Sequence, residues 1–166
     1  NGGVLRSRNE GPWEVVTVPT TETIVGVWGS APDDVWMVGT NGLVLRGNGT
    51  TFTAVNSGVT NTLLEVWGLS ANDVYVTGGF EGTVSLGGAA LNAVGAVDLF
   101  AGKLTSAGAH VWSRRYGAAG ANPVVVALAA GTSGDVFLTG QTDGAVDFGG
   151  GVLPAGGALD AFVVRV

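Results

Sequence analysis

The sequence contains no cysteine, which excludes disulfides, thiolate nucleophiles and Cys-ligated zinc or iron–sulfur centres. Basic residues are scarce: seven Lys and Arg stand against 13 Asp and Glu, for a net charge of −6. A nucleic-acid binder needs a basic footprint to displace counterions from phosphates, and these seven residues are scattered. An anionic membrane surface is disfavoured by the same electrostatics. No apolar run approaches the roughly 20 residues of a membrane-spanning helix, and no signal-peptide pattern is visible. Histidine occurs once, at His110. Charged residues make up only 12% of the chain and hydrophobic ones 46%, a balance too apolar for intrinsic disorder.

What is abundant is glycine, 30 residues of it, without the every-third-residue period of collagen. The glycines punctuate short apolar runs, which reads as many short strands joined by tight turns. These runs repeat. NGGVLR at 1–6 returns as NGLVLR at 41–46, and VWGSAPDDVWMVG at 27–39 returns as VWGLSANDVYVTG at 66–78. A longer unit, DVYVTGGFEGTVSLGGAALNAVGAVDLFAGKL at 73–104, aligns without a gap on DVFLTGQTDGAVDFGGGVLPAGGALDAFVVRV at 135–166.

Within the second unit IVGVWG (24–29), DVWMVG (34–39), GLVLR (42–46) and TFTAV (51–55) are enriched in β-branched or aromatic residues and bounded by turn formers. GNG at 47–49 suits a tight hairpin, because Gly and Asn tolerate positive φ. VVVALAA (124–130) has a helical composition, but it occupies the register of LLEVWGL and is read as a strand. Four short antiparallel strands in about 40 residues is the pattern of a β-propeller blade. The expected fold is therefore all-β. It is a propeller segment of about three four-stranded blades: a partial blade at 1–18, blades at 21–58 and 60–117, and a partial blade at 122–166. Such a segment leaves open edges, so it is expected either to self-associate, as a dimer or by strand exchange through WEVVTV, or to belong to a longer propeller. The opening NGGVLR reads as the middle of a repeat. Gly26, Ala127 and Ala129 fit crowded first strands, while Trp28, Trp67, Trp36, Tyr75 and Phe137 are expected to fill space between sheets.

The ordered motifs DVYVTG, GTVSLGG, DLFAGKL and GAHVWSRRYG, then DVFLTG, GAVDFGG and DAFVVRV, make residues 60–166 resemble the bacterial SBBP-type β-propeller repeat. The N-terminal part resembles related VWG…DDVW repeats of secreted or surface bacterial proteins. SRNEGPW at 7–13 looks like a degenerate Asp-box, with Asn9 in place of Asp. The resemblance implies a propeller in a secreted or cell-surface bacterial protein. It implies no catalytic residue, because fold alone does not imply activity.

Asp34, Asp73 and Asp135 each follow a turn-like segment (SAPD, SAND, TSGD), so each is read as a turn anchor accepting backbone N–H bonds. A calcium role lacks the D-x-[DN]-x-[DN]-G spacing, and no metal or cofactor is expected. His110 sits in AHVWSRR without a neighbouring nucleophile–carboxylate arrangement. Glu81 and Asp143 occupy equivalent positions and form the one paired-carboxylate candidate for glycoside hydrolysis. They lack the arginine cluster of a sialidase-like site, and no catalytic residue is assigned. The expected contact surface is the loop end of the channel, with ligand-binding candidates Thr40, Asn41, Asn61, Phe80, Glu81, Gln141, Thr142 and Asp143, where Phe80 can stack on a ligand. The Gly/Ala-rich insertions at 87–96 and 149–158 are expected to pack as extra hairpins through Leu91, Val152 and Leu153. The function expected is non-catalytic binding or scaffolding through protein or glycan contacts. A lectin-like sugar binder is the alternative and a glycoside hydrolase the third reading.

Overall fold

The computed structural model describes residues 3–7, 10–131 and 134–166. Arg8 and Asn9 of SRNEGPW, and Thr132 and Ser133 of TSGD, lie outside the described residues. The chain is all-β. Strands β1 (Gly3–Arg6) and β2 (Glu14–Thr17) form a two-stranded first sheet. Strands β3 (Ile24–Ala31), β4 (Asp34–Gly39), β5 (Val44–Gly47) and β6 (Phe52–Ala54) form a four-stranded antiparallel meander. β7 (Leu63–Ser70) and β8 (Asp73–Phe80) are followed by a small hairpin of β9 (Thr83–Val84) and β10 (Leu91–Asn92). β11 (Asp98–Leu104) and β12 (His110–Tyr116) then complete a third sheet in the order β7-β8-β11-β12. β13 (Val124–Ala130) and β14 (Val136–Thr142) lead to a second small hairpin, β15 (Val146–Asp147) with β16 (Val152–Leu153). β17 (Asp160–Arg165) pairs with β14, giving a three-stranded fourth sheet. DVWMVG and VVVALAA are strands over their full lengths. Among the described residues no helix is long and apolar enough to cross a membrane.

The sheets pack face to face, and strand alternation explains how. Along β4, Met37 faces the first sheet with Val16, Val18, Leu45 and Phe52, while Trp36 and Val38 face the third sheet with Leu63, Val66 and Val74. Along β8, Val74 and Val76 point back into that second cluster. Tyr75 points forward into a third one with Leu99, Leu128 and Leu138. The period of two thus serves two cores from one strand, which is why these runs read as almost continuously apolar. Close approach between first strands needs small residues: a Cβ on Gly68 would lie 2.6 Å from Cη2 of Trp28.

The expected aromatic wedges separate into two kinds. Trp36 is fully buried and Tyr75 nearly so. Trp67 and Phe137 each keep 39% of their surface exposed. Phe137 occupies the register of Trp36 and Tyr75, but among the described residues no further sheet covers its face, where Val124, Val126 and Val163 are also exposed. The insertions divide likewise. Leu91 packs on the cluster around Trp36, as expected. Val152 and Leu153 are each 59% exposed, contrary to expectation. The second hairpin instead packs through Val146, which is buried, and Phe148, whose ring lies 4.7 Å from that of Phe162.

Candidate functional site

Asp34 and Asp73 hold their turns through serine hydroxyls, not through the expected backbone N–H groups: Ser30 Oγ donates to Asp34 Oδ2 at 2.5 Å, and Ser70 Oγ to Asp73 Oδ2 at 3.2 Å. Their larger role is across the sheet. Arg46 on β5 donates its Nε to Asp34 Oδ1 at 2.7 Å, Lys103 on β11 pairs with Asp73, and Arg165 on β17 approaches Asp135 at 3.3 Å. Each basic residue lies opposite the aromatic two places after its Asp, with register pairs Trp36↔Arg46, Tyr75↔Lys103 and Phe137↔Arg165. The Arg46 guanidinium lies 5.1 Å from the Trp36 ring centroid and Lys103 Nζ 5.4 Å from that of Tyr75, within cation–π range. The Asp–base–aromatic unit was missed from sequence, although Lys103 and Arg165 fall in the same column of the gap-free repeat alignment. Arg46 also donates to the Ser106 carbonyl of the third sheet, and Arg6 of β1 to the Gly49 carbonyl of the second, so these two arginines tie one sheet to the next.

These pairs set a pH dependence. Burial raises the Asp34 carboxyl, but hydrogen bonds from Ser30 and Arg46 and the Arg46 charge outweigh it and hold the group below the usual carboxylate range. Asp73 is lowered chiefly by its hydrogen bond from Lys103, which is raised in turn. A depressed carboxylate contributes stability that is present above its unfolded pKa, about 3.9, and is lost as pH falls through the folded value. The raised lysine contributes stability that is present below about 10.4 and lost as pH rises above it. Urea denaturation should therefore show stability falling below about pH 4. In a D34N/D73N variant the acid limb should be shallower and the plateau lower.

A second unforeseen acid is Asp98, at 0% exposure. Its carboxylate accepts the N–H groups of Val94 at 2.9 Å and Gly95 at 3.1 Å, and an Arg115 Nη1 bond at 2.7 Å. It thereby ties the end of the first insertion to the outer strand. A Cβ at Gly117 would lie 2.2 Å from its Oδ1, so glycine makes room for the carboxylate. Asp160 takes the same part in the second insertion, accepting from Gly156 at 2.8 Å and Gly157 at 3.2 Å.

At the loop end, the segment before each first strand meets the segment after the second strand. In the second sheet, Glu22 Oε2 accepts from Thr40 Oγ1 and Asn41 Nδ2, both at 2.8 Å. Those bonds, from Thr40 first and Asn41 second, hold the Glu22 carboxyl below its ordinary value. Asn41 has φ 53°, a left-handed conformation that Asn tolerates. In the third sheet Asn61, Thr62, Leu64, Gly79, Phe80, Glu81 and Val97 line a shallow cavity of about 350 Å³. In the fourth, Asp143 accepts Asn122 N–H at 2.7 Å and Asn122 Nδ2 at 2.9 Å, and these bonds lower its carboxyl.

Three of the candidate contact residues sit differently from expectation. Phe80 is 1% exposed, because β8 continues through it and strand alternation places it with Val74 and Val76 against Phe100. Its ring is a core group and is not free to stack on a ligand. Thr142 is buried and closes the following turn, donating to the Gly144 carbonyl at 2.9 Å. Gln141 belongs to β14 and lies on its exposed face, opposite Val124, not in a loop. Thr40, Asn41, Asn61, Glu81 and Asp143 remain at the loop end. His110 lies on β12 with Nε2 3.1 Å from Ser113 Oγ. Glu65 is the one acid at a register otherwise held by Gly26 and Ala127 on the first strands, and burial raises its carboxyl. No cluster of three His, Asp or Glu suited to a metal occurs among the described residues. No family model and no curated protein matches the chain.

Proposed function

We propose that the sheets are consecutive blades of a β-propeller and that the chain is a non-catalytic binding or scaffold module of an exported bacterial protein. The observation that carries the binding reading is the recurrent meeting of two loops at one end of each sheet. Twice that meeting hydrogen-bonds an acid to an amide or hydroxyl, Glu22 with Thr40 and Asn41 and Asp143 with Asn122, and in the third sheet Glu81 and Asn61 line one shallow cavity. Loops on a rigid sheet scaffold are the usual carriers of binding function. Carboxylates and amides fixed by hydrogen bonds present acceptors and donors suited to sugar hydroxyls or peptide backbone. The lectin-like reading draws on the same groups. The hydrolase reading is weaker: the bonds from Asn122 that lower the Asp143 carboxyl leave it only a base or nucleophile role, and the sequence lacks the arginine cluster of a sialidase-like site.

A glycan array and a peptide array, run with the chain and an N41A/E81A/D143A variant, test this. Binding lost in the triple variant, with thermal stability retained, is the expected result. Binding unchanged by the three substitutions removes the loop end from the proposal, and glycoside turnover abolished by E81Q or D143N would replace it with an enzyme.

A further inference from the structure

We infer that Asn48 is a self-modification site: the turn between β5 and β6 activates its side-chain amide for succinimide formation and deamidation, while the same dipeptide at Asn41-Gly42 is held inert. Among the described residues Asn-Gly occurs at these two places alone. Glycine makes the pair reactive, because no Cβ shields its backbone nitrogen from the asparagine Cγ. In the β5–β6 turn Asn48 is exposed and Gly49 takes φ 76°. Asn48 Oδ1 accepts three hydrogen bonds: from Thr50 N–H at 3.0 Å, Thr51 N–H at 2.8 Å and Thr51 Oγ1 at 3.1 Å. These bonds curl the side chain over the Gly49 peptide. They also converge on the oxygen that turns negative when the Gly49 nitrogen attacks Cγ, and donors preset around a developing oxyanion lower its barrier. The Gly49 N–H itself donates to no acceptor among the described residues.

The reaction needs only water. The Gly49 nitrogen gives its proton to a solvent base and bonds to Cγ. The Cγ–Nδ2 bond breaks, and the amide nitrogen leaves as ammonia. Water then opens the cyclic imide, at Cγ to give aspartate or at the backbone carbonyl to give isoaspartate. Position 41 is built the other way. The Gly42 N–H donates to the Asn61 carbonyl at 2.9 Å, and Asn41 Nδ2 donates to Glu22 Oε2 at 2.8 Å, so nucleophile and leaving group are both held. The product at position 48 has a structural consequence. Isoaspartate puts an extra carbon in the backbone and displaces the Gly49 carbonyl and the Thr50 hydroxyl, both of which accept from Arg6. The tie between the first and second sheets thus weakens as the chain ages. The inference depends on the β5–β6 turn and not on what the loop end binds.

The test is incubation of the folded chain at mildly alkaline pH, with peptide mapping by mass spectrometry to follow amide-to-acid conversion at each asparagine. Asn48 should convert about tenfold or more faster than Asn41, the cost of breaking the bonds that hold position 41. A T51V variant removes one donor to Oδ1 at an exposed, near-isosteric position and keeps both backbone bonds. It should slow conversion at position 48 by about 3- to 10-fold, the worth of one hydrogen bond. Faster conversion in T51V would mean that the three bonds lock the amide instead of activating it, and overturns the inference. Equal rates at 41 and 48 in the folded chain overturn it too. The unsubstituted chain in urea is the second measurement and stands even if T51V fails to fold. The two rates should converge there, and an undiminished lead for Asn48 would assign the difference to neighbouring sequence and not to the turn.

Discussion

Replacing Trp36 with alanine is expected to lower the unfolding free energy by about 3–5 kcal/mol, while the same change at Phe137 costs about 1 kcal/mol or less. The two positions are equivalent in the repeat, each two residues after the repeated Asp and opposite a third-strand arginine. Their surroundings differ. Trp36 is enclosed by Val66, Val74 and other residues of the third sheet, so truncation opens a cavity between two sheets and also removes the stacking surface of Arg46. Phe137 faces outward from the last sheet with much of its ring already in water. Urea denaturation of both variants and of Y75A checks this. Tyr75, at 3% exposure between the third and fourth sheets, should behave like Trp36.

Asp98→Ala is expected to cost about 2–3 kcal/mol, because the fully buried carboxylate is the acceptor for two backbone donors and the charge partner of Arg115, whose guanidinium keeps partial access to water and a bond to the Gly117 carbonyl. Arg115 would lose its 2.7 Å partner, and Val94 and Gly95 would lose the acceptor that fixes their turn. The matched change Asp160→Ala removes two backbone bonds at an exposed turn, with a cost of about 1 kcal/mol expected. Hydrogen exchange should localise the damage in D98A to the segment from β10 to β12, and equal losses at Asp98 and Asp160 would contradict the burial argument.

Much of the fold was legible because repetition and period-2 alternation are local signals. DVWMVG bounds β4 to the residue, and VVVALAA was recognisable as a strand from its register despite its helical composition. What escaped notice depends on pairing between strands. The partner of Asp34 is 12 residues away and that of Asp73 is 30, and nothing near either Asp announces it. Phe80 was misread for a related reason. The segment after DVYVTG looks like a loop by composition, yet β8 runs on through Phe80, in phase with Val74 and Val76. The same alternation carried two residues further would have placed it in the core. The loop-end candidates that do lie on the surface, Asn41, Glu81 and Asp143, are those beyond the reach of strand pairing.

The DVWMVG-type runs therefore belong to the packing between sheets, and the chain's lack of cysteine allows a direct test. Single cysteines at Val38 and Val76, both fully buried, and at Val15 and Val163, which are 72% and 76% exposed, report on inner and outer sheet faces in turn. Thiol labelling under native conditions should be slowed more than about a hundredfold at positions 38 and 76, while positions 15 and 163 react like free thiols. Rapid labelling at 38 or 76 in a folded variant would contradict face-to-face stacking of the sheets.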